Sequence, residues 1–200
     1  QRVMVAEGFK PYNCHRVIFY GDIRLGEFHK KVEVAKGFVK HSGINDATLR
    51  NVTVGNDCLI EKVGNYINNY TIGNDCYISN ICTLETTEDA TYGEGSVISV
   101  LNEMGDGNVT IFRELNSQMA SFMVRHNRDK GLTQTLKQMI EDELRVTRPE
   151  RGIIGNNVKI INAKDITNTV IKGYCEISGA SRLSECTVMS SMDAPVFIGT

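Results

Sequence analysis

Two copies of one short phrase, eighteen residues apart, constrain this chain more than any other feature of it. Val54–Ile60 reads VGNDCLI and Ile72–Ile78 reads IGNDCYI. Asn51-Val52-Thr53 precedes the first copy and Asn69-Tyr70-Thr71 the second, and Leu49 and Ile67 keep the same offset. A fixed period of this length marks a repeat architecture, in which each unit must stack on its neighbours to bury its apolar side chains.

Within each period the aliphatic residues fall five to seven apart: Leu49, Val54, Ile60, Ile67, Ile72, Ile78, Leu84. A helix places apolar residues at steps of three and four, and a half-buried strand at steps of two. A six-residue step fits a short strand followed by a corner, three of which close a triangular coil. Gly55 and Gly73 stand at corners, where a missing Cβ relieves the backbone. Asn56-Asp57 and Asn74-Asp75 continue as turn formers. The second half repeats the scheme with Ile154, Ile160, Ile166, Ile171, Ile177, Leu183 and Met189, its first coil being 17 residues long.

An aliphatic residue, then Gly or a small polar residue, then a small residue four places after the aliphatic, repeated in sixes, resembles the hexapeptide repeat of left-handed parallel β-helices. Cys58, Cys76, Cys82, Val158, Cys175, Ser181 and Thr187 fill the small position, and Lys164 departs from it, which predicts a bulge around Ala163-Lys164-Asp165. The resemblance implies an all-β solenoid, a left-handed parallel β-helix with an inserted α-helical hairpin. More closely, the chain resembles the N-terminal part of a family of long, functionally uncharacterised bacterial hexapeptide-repeat proteins. That likeness rests on GDIRLG at Gly21–Gly26, KHSG at Lys40–Gly43, LNEMG at Leu101–Gly105, GASRLS at Gly179–Ser184 and APVFIG at Ala194–Gly199. With Gln1 at one end and Ile198-Gly199 opening a further repeat at the other, the chain reads as a segment of something longer.

The predicted organisation is a cap with short strands over residues 1–43, coils over 44–102, a helical insertion over 103–151 and further coils over 152–200. In the insertion Leu115, Met119, Phe122 and Met123 fall at helical spacing, as do Leu132, Leu136, Met139, Ile140 and Leu144. These predict two helices broken at Gly131, the second ending before Pro149.

Composition narrows the function classes. A formal net charge of -2, with 41% apolar and 23% charged residues, argues against a dedicated nucleic-acid binder. Even the mostly apolar stretch around Val97–Leu101 is far short of a membrane span. Six cysteines without paired short spacings make neither a disulfide framework nor a zinc ribbon, and fit a reducing, cytoplasmic compartment. Cys58, Cys76 and Cys175 share the inward register and are expected as buried, inert thiols, whereas Cys186 lies off it and is the thiol expected to be exposed.

The histidines carry the candidate chemistry. The resemblance implies acyl transfer from acyl-coenzyme A to a sugar or nucleotide-sugar, with a His as general base, in a homotrimer. A base of near-neutral pKa suits that step. His126, in the run Arg125-His126-Asn127-Arg128-Asp129-Lys130, is the first candidate, with Arg125, Arg128 and Lys130 placed to meet phosphates. The alternative reading of the same run is a polar helix end. His41, entering the first regular coil, is the second candidate, against a plain turn residue. Nothing ties His15 or His29 to a partner, and Arg24 and Arg50 read equally well as solvated. The related carbonic anhydrases need three zinc-binding histidines, a trio whose spacing is absent, so no metal is expected. Two further readings stand beside the transferase: a non-catalytic binding or assembly module, and the β-helix part of a sugar nucleotidyltransferase, whose glycine-rich phosphate loop Gly105-Asp106-Gly107 is too short to supply.

Overall fold

The computed structural model describes residues 2–99 and 107–199 and separates into two compact units, residues 1–90 with 150–200, and residues 91–149. The first unit is a solenoid-like stack built on a 14-stranded sheet whose strand pairs are parallel. Its three ladders of inward side chains follow from the six-residue step. One runs Cys14, Ile44, Ile60, Ile78, with Ile160 and Ile177 continuing it to Ile198. A second runs Phe19, Leu49, Ile67, Leu84, Ile166, Leu183. The third runs Leu25, Val54, Ile72, Ile154, Ile171, Val188, and Val5, which pairs with Leu25, is exposed. Ile44, Ile60, Ile78, Ile160 and Ile177 are fully buried, each such side chain contributing roughly 1.5–3 kcal/mol by leaving water.

Each residue of VGNDC has its own structural role. Val54 and Cys58 face inward. Gly55 lies so close to the next coil that a Cβ would stand 2.7 Å from the Gly73 carbonyl carbon, so the glycine serves close approach rather than backbone freedom. The side-chain oxygen of Asn56 accepts from the Glu27 backbone N–H at 3.0 Å, Asn74 does the same for Asn56 at 2.7 Å, and Asn156 for Asn74 at 2.7 Å. Asp57, Asp75 and Asn157 take left-handed backbone at φ near 56°, which Asp and Asn tolerate best after glycine. Equivalent left-handed columns occupy the other two corners: Asp46, Lys62, Asn80 and Asn162 at one, Asn51, Asn69 and Asn168 at the other.

The small-position register holds at one corner and shifts at two. Cys58, Cys76, Val158 and Cys175 stack in one buried column, and the Cys58 and Cys76 thiols donate to the Gly73 and Gly155 carbonyls at 3.0 Å. Hydrogen bonding with Cys76 and burial push the Cys58 thiol up, so it stays protonated. At the second corner the buried residues are Val63, Ile81 and Ala163, one place earlier than expected. Cys82 is therefore half-buried, Ser181 exposed, and Lys164 points to solvent without breaking any rule. The irregularity falls instead between Ile81 and Thr83 of Tyr77–Glu85, against Gly64-Asn65 of the neighbouring strand Leu59–Asn68. At the third corner Cys186, not Thr187, stands in register with the buried Thr169, its sulfur 3.4 Å from the hydroxyl, so it is half-buried rather than the exposed thiol.

Residues 2–25 supply strands of the stack itself, Arg2–Val5, Cys14–Tyr20 and Asp22–Leu25. Only Lys31–Ala35 and Phe38–His41 depart from it, as an antiparallel hairpin. Lys40 of that hairpin holds the buried Glu61 carboxylate with both distances 2.9 Å. Asp57 receives the His29 and Lys30 backbone N–H groups at 2.8 and 3.0 Å.

The second unit opens earlier than helical spacing indicates. Val97–Ser99 pairs antiparallel with Asn108–Thr110, so these residues are no coil of the stack. LNEMG at 101–105 lies outside the described residues. Helix α1 (Ser117–Arg125) is capped by Asn116 and α2 (Lys130–Thr147) by Asp129, whose side chains accept from Met119 and Leu132 N–H. The break therefore falls at His126–Asp129, and Gly131 sits inside the first turn of α2, where a good cap outweighs the helix cost of glycine. Val109, Phe112 and Ile140 are buried, and Arg113 joins Glu94 at 3.2 Å and the Thr147 carbonyl at 3.4 Å. Among the described residues no helix is long and apolar enough to cross a membrane.

Candidate functional site

The residues singled out from sequence do not converge. His126 follows α1 on an exposed turn, its ring 4.6 Å from that of Phe122. Arg125 ends α1, Arg128 lies on the same turn as His126 and Lys130 opens α2; all three are exposed and form no ion pair among the described residues. Three cations and an imidazole thus lie on or beside one turn, but no carboxylate or carbonyl among the described residues orients the imidazole as a working base requires.

His41 belongs to the other unit, at the end of the hairpin strand Phe38–His41, exposed, with Nδ1 2.7 Å from the Ser42 carbonyl oxygen. The rest of KHSG is structural. Lys40 makes the Glu61 ion pair, Ser42 is buried, and a Cβ at Gly43 would stand 2.5 Å from the Asn13 carbonyl oxygen. His29 pairs with Glu27 at 3.1 Å on the surface.

A better-formed recess lies on the outer face of the coil stack. Alternation along each strand turns the neighbours of the inward Phe19, Leu49, Ile67 and Leu84 outward. Their outward successors Tyr20, Arg50, Asn68 and Glu85 stand side by side across adjacent strands, about 4.8 Å apart. With Thr48 and Tyr66 they line a groove of about 530 Å³. Tyr20 and Tyr66 remain 53% and 37% exposed, their rings left open to solvent, and Ile18 is exposed on the same side of the strand as Tyr20.

The polar groups of this groove are arranged rather than scattered. The Tyr66 hydroxyl donates to Glu85 Oε2 at 3.0 Å. That bond to a carboxylate is the main reason the phenol is held above its ordinary pKa, with the nearby Arg50 guanidinium opposing. The Asn68 side-chain oxygen is buried without a hydrogen-bond partner among the described residues. Aromatic faces beside a guanidinium, a carboxylate and an amide form the chemistry that takes a sugar ring, the rings meeting its C–H face and the polar groups its hydroxyls. Arg50 was visible in the sequence as a free cation. Its company was not, because Tyr20, Tyr66 and Glu85 are brought to it only by the pairing of separate coils.

The whole chain, residues 1–200, matches the profile of a domain of unknown function, DUF4954. An uncharacterized protein of Treponema pallidum (strain Nichols) is 27% identical over 208 residues, which cover 98% of this chain and 29% of that relative. The chain thus spans less than a third of the relative it matches. No solved structure matches it.

Proposed function

We propose that this chain, which belongs to the DUF4954 family, is the binding module of a left-handed parallel β-helix of the hexapeptide-repeat type and takes a sugar on the outer face of its coils. The observation that carries the reading is the groove in which Tyr20 and Tyr66 stay exposed around Arg50, Asn68 and Glu85. Coils of 17 or 18 residues, with a left-handed residue recurring at each corner, support the β-helix type. Titrating glucose and N-acetylglucosamine, followed by amide chemical shifts, tests it. Shifts should map to the strands carrying Tyr20, Arg50, Tyr66 and Asn68, and Tyr66→Ala should weaken binding on the order of tenfold, the usual weight of a buried stacking contact and its hydrogen bond. Absence of binding by both sugars, or binding indifferent to Tyr66→Ala and Tyr20→Ala, would sink the reading.

A second reading keeps acyl transfer, because His126 shares its turn with Arg128, between Arg125 at the end of α1 and Lys130 at the start of α2. There the cations hold the phosphates of an acyl-coenzyme A and His126 deprotonates the acceptor. Calorimetric titration of acetyl-coenzyme A separates the two readings. Binding lost on Arg125→Ala/Arg128→Ala would place the cofactor at this turn, and no binding would leave the sugar module alone.

A further inference from the structure

Around the corner marked by Gly21, Asn51 and Asn69, the next outer face carries a recess of a different character. It has a volume of about 310 Å³ and is lined by Arg2, Asp22, Arg24, Thr53, Thr71 and Arg151, with Met4 its one apolar side chain. Register explains the convergence. Arg2 pairs across the sheet with Asp22, and Arg24 with Thr53, which in turn pairs with Thr71, so these side chains point out of one flat face in neighbouring coils. Arg151 comes from much later in the chain. It reaches back across the coil that holds Asn69, its guanidinium 3.5 Å from the Asn51 carbonyl oxygen.

Three guanidiniums therefore line one recess that contains a single carboxylate, Asp22. Among the described residues none of the three is within ion-pair distance of any acid. Like charges held together at a surface repel, and an anion between them removes that cost. The planar fork of Arg matches phosphoryl oxygens two at a time, and the Thr53 and Thr71 hydroxyls add donors without charge.

We infer that this recess binds a phosphoryl or pyrophosphoryl group. The tyrosine groove ends at Tyr20, Arg50 and Asn68, one residue before the corner at Gly21, Asn51 and Asn69. The arginine recess begins at Asp22, one residue after Gly21. One ligand can therefore lie over this edge with its sugar on the first face and its phosphate on the second, which makes a glycosyl phosphate or nucleotide-sugar the full ligand. Only that last step rests on the sugar reading, since the anion site stands on its own residues.

Inorganic pyrophosphate titrated into the 200-residue chain by calorimetry, at low and at physiological salt, tests the site apart from any sugar. Binding should weaken as salt rises. Arg24→Gln/Arg151→Gln should lower the affinity on the order of tenfold or more, the effect of losing charge-assisted hydrogen bonds. Arg24→Lys should lose less, keeping charge without the fork, and Tyr66→Ala should leave pyrophosphate affinity unchanged. Unchanged melting temperatures would show that the variants fold. No binding by the wild type, or an equal loss in the surface control Arg145→Gln, would overturn the inference. Pyrophosphate binding without sugar binding would keep it and remove the sugar reading alone.

Discussion

In the coil stack, an interior side chain has an equivalent above it and another below, whereas in the insertion each buried side chain stands alone. Ile60, Ile78 and Ile160 touch as successive rungs of one ladder. Ile140 of α2 is the one buried side chain of its helix, while Met139 and Val146 on the same helix stay 45% and 82% exposed. The same contrast holds for polar groups. Corner amides in the stack satisfy one another coil to coil through Asn56, Asn74 and Asn156, and the insertion relies on single caps, Asn116 and Asp129. A repeat therefore answers every change with two neighbours, and a non-repeating hairpin answers it locally.

The largest effect that would sharpen this contrast comes from the middle of a ladder. Ile78→Ala should destabilise the stack by about 2–5 kcal/mol, since a fully buried rung leaves a cavity between two others that cannot collapse independently. Urea unfolding should show the loss in the β-signal of the chain. A loss below about 1 kcal/mol would mean that the ladders are not a continuous core.

Gly73→Ala should come next, at about 1–3 kcal/mol, because the new Cβ would stand 2.8 Å from the Gly155 carbonyl carbon and 2.4 Å from the Asn156 side-chain oxygen. Thermal melting reads it, and a neutral substitution would show that adjacent coils can part. The smallest effect belongs to the insertion. Asp129→Ala removes the cap of α2 and should cost about 1 kcal/mol of helix stability. Helical dichroism should melt earlier while amide exchange in the coil strands stays unchanged. Exchange spreading into the strands would break the division between the two units.

How much of this was legible depends on whether a signal was local. VGNDC and IGNDC announced the coil because each residue's role recurs within a few positions. The corner before Phe19, Leu49, Ile67 and Leu84 reads one place off in the sequence, since Cys82 and Ser181 are small and satisfy the pattern that Ile81 and Ala163 fulfil in the structure. The first coils were hidden because the hairpin interrupts them between Leu25 and Ile44, stretching a six-residue step to nineteen. Val97–Ser99 has strand composition in either setting, and only its antiparallel partner decides. At the site, Arg24 and Arg50 could be seen as outward cations, but Arg151 lies 127 residues from Arg24, and no sequence spacing joins them. His126 was conspicuous because its charged neighbours are contiguous, which says little about enclosure.

Among the described residues, the last backbone bond from the outgoing chain to a coil is Thr86 N–H to the Asn68 carbonyl, and the first from the returning chain is Gly152 N–H to the carbonyl of the very next residue, Asn69. Both ends of the detour are thus moored on consecutive peptides of one coil, while Tyr77–Glu85 pairs directly with Lys159–Ile161 and Asp165–Ile171 as though nothing intervened. For a loop whose ends are already fixed, doubling the length adds only about 0.6 kcal/mol of closure entropy. The corner is in effect a grafting point: with both ends held by one coil, the length spliced in between costs the coil stack little.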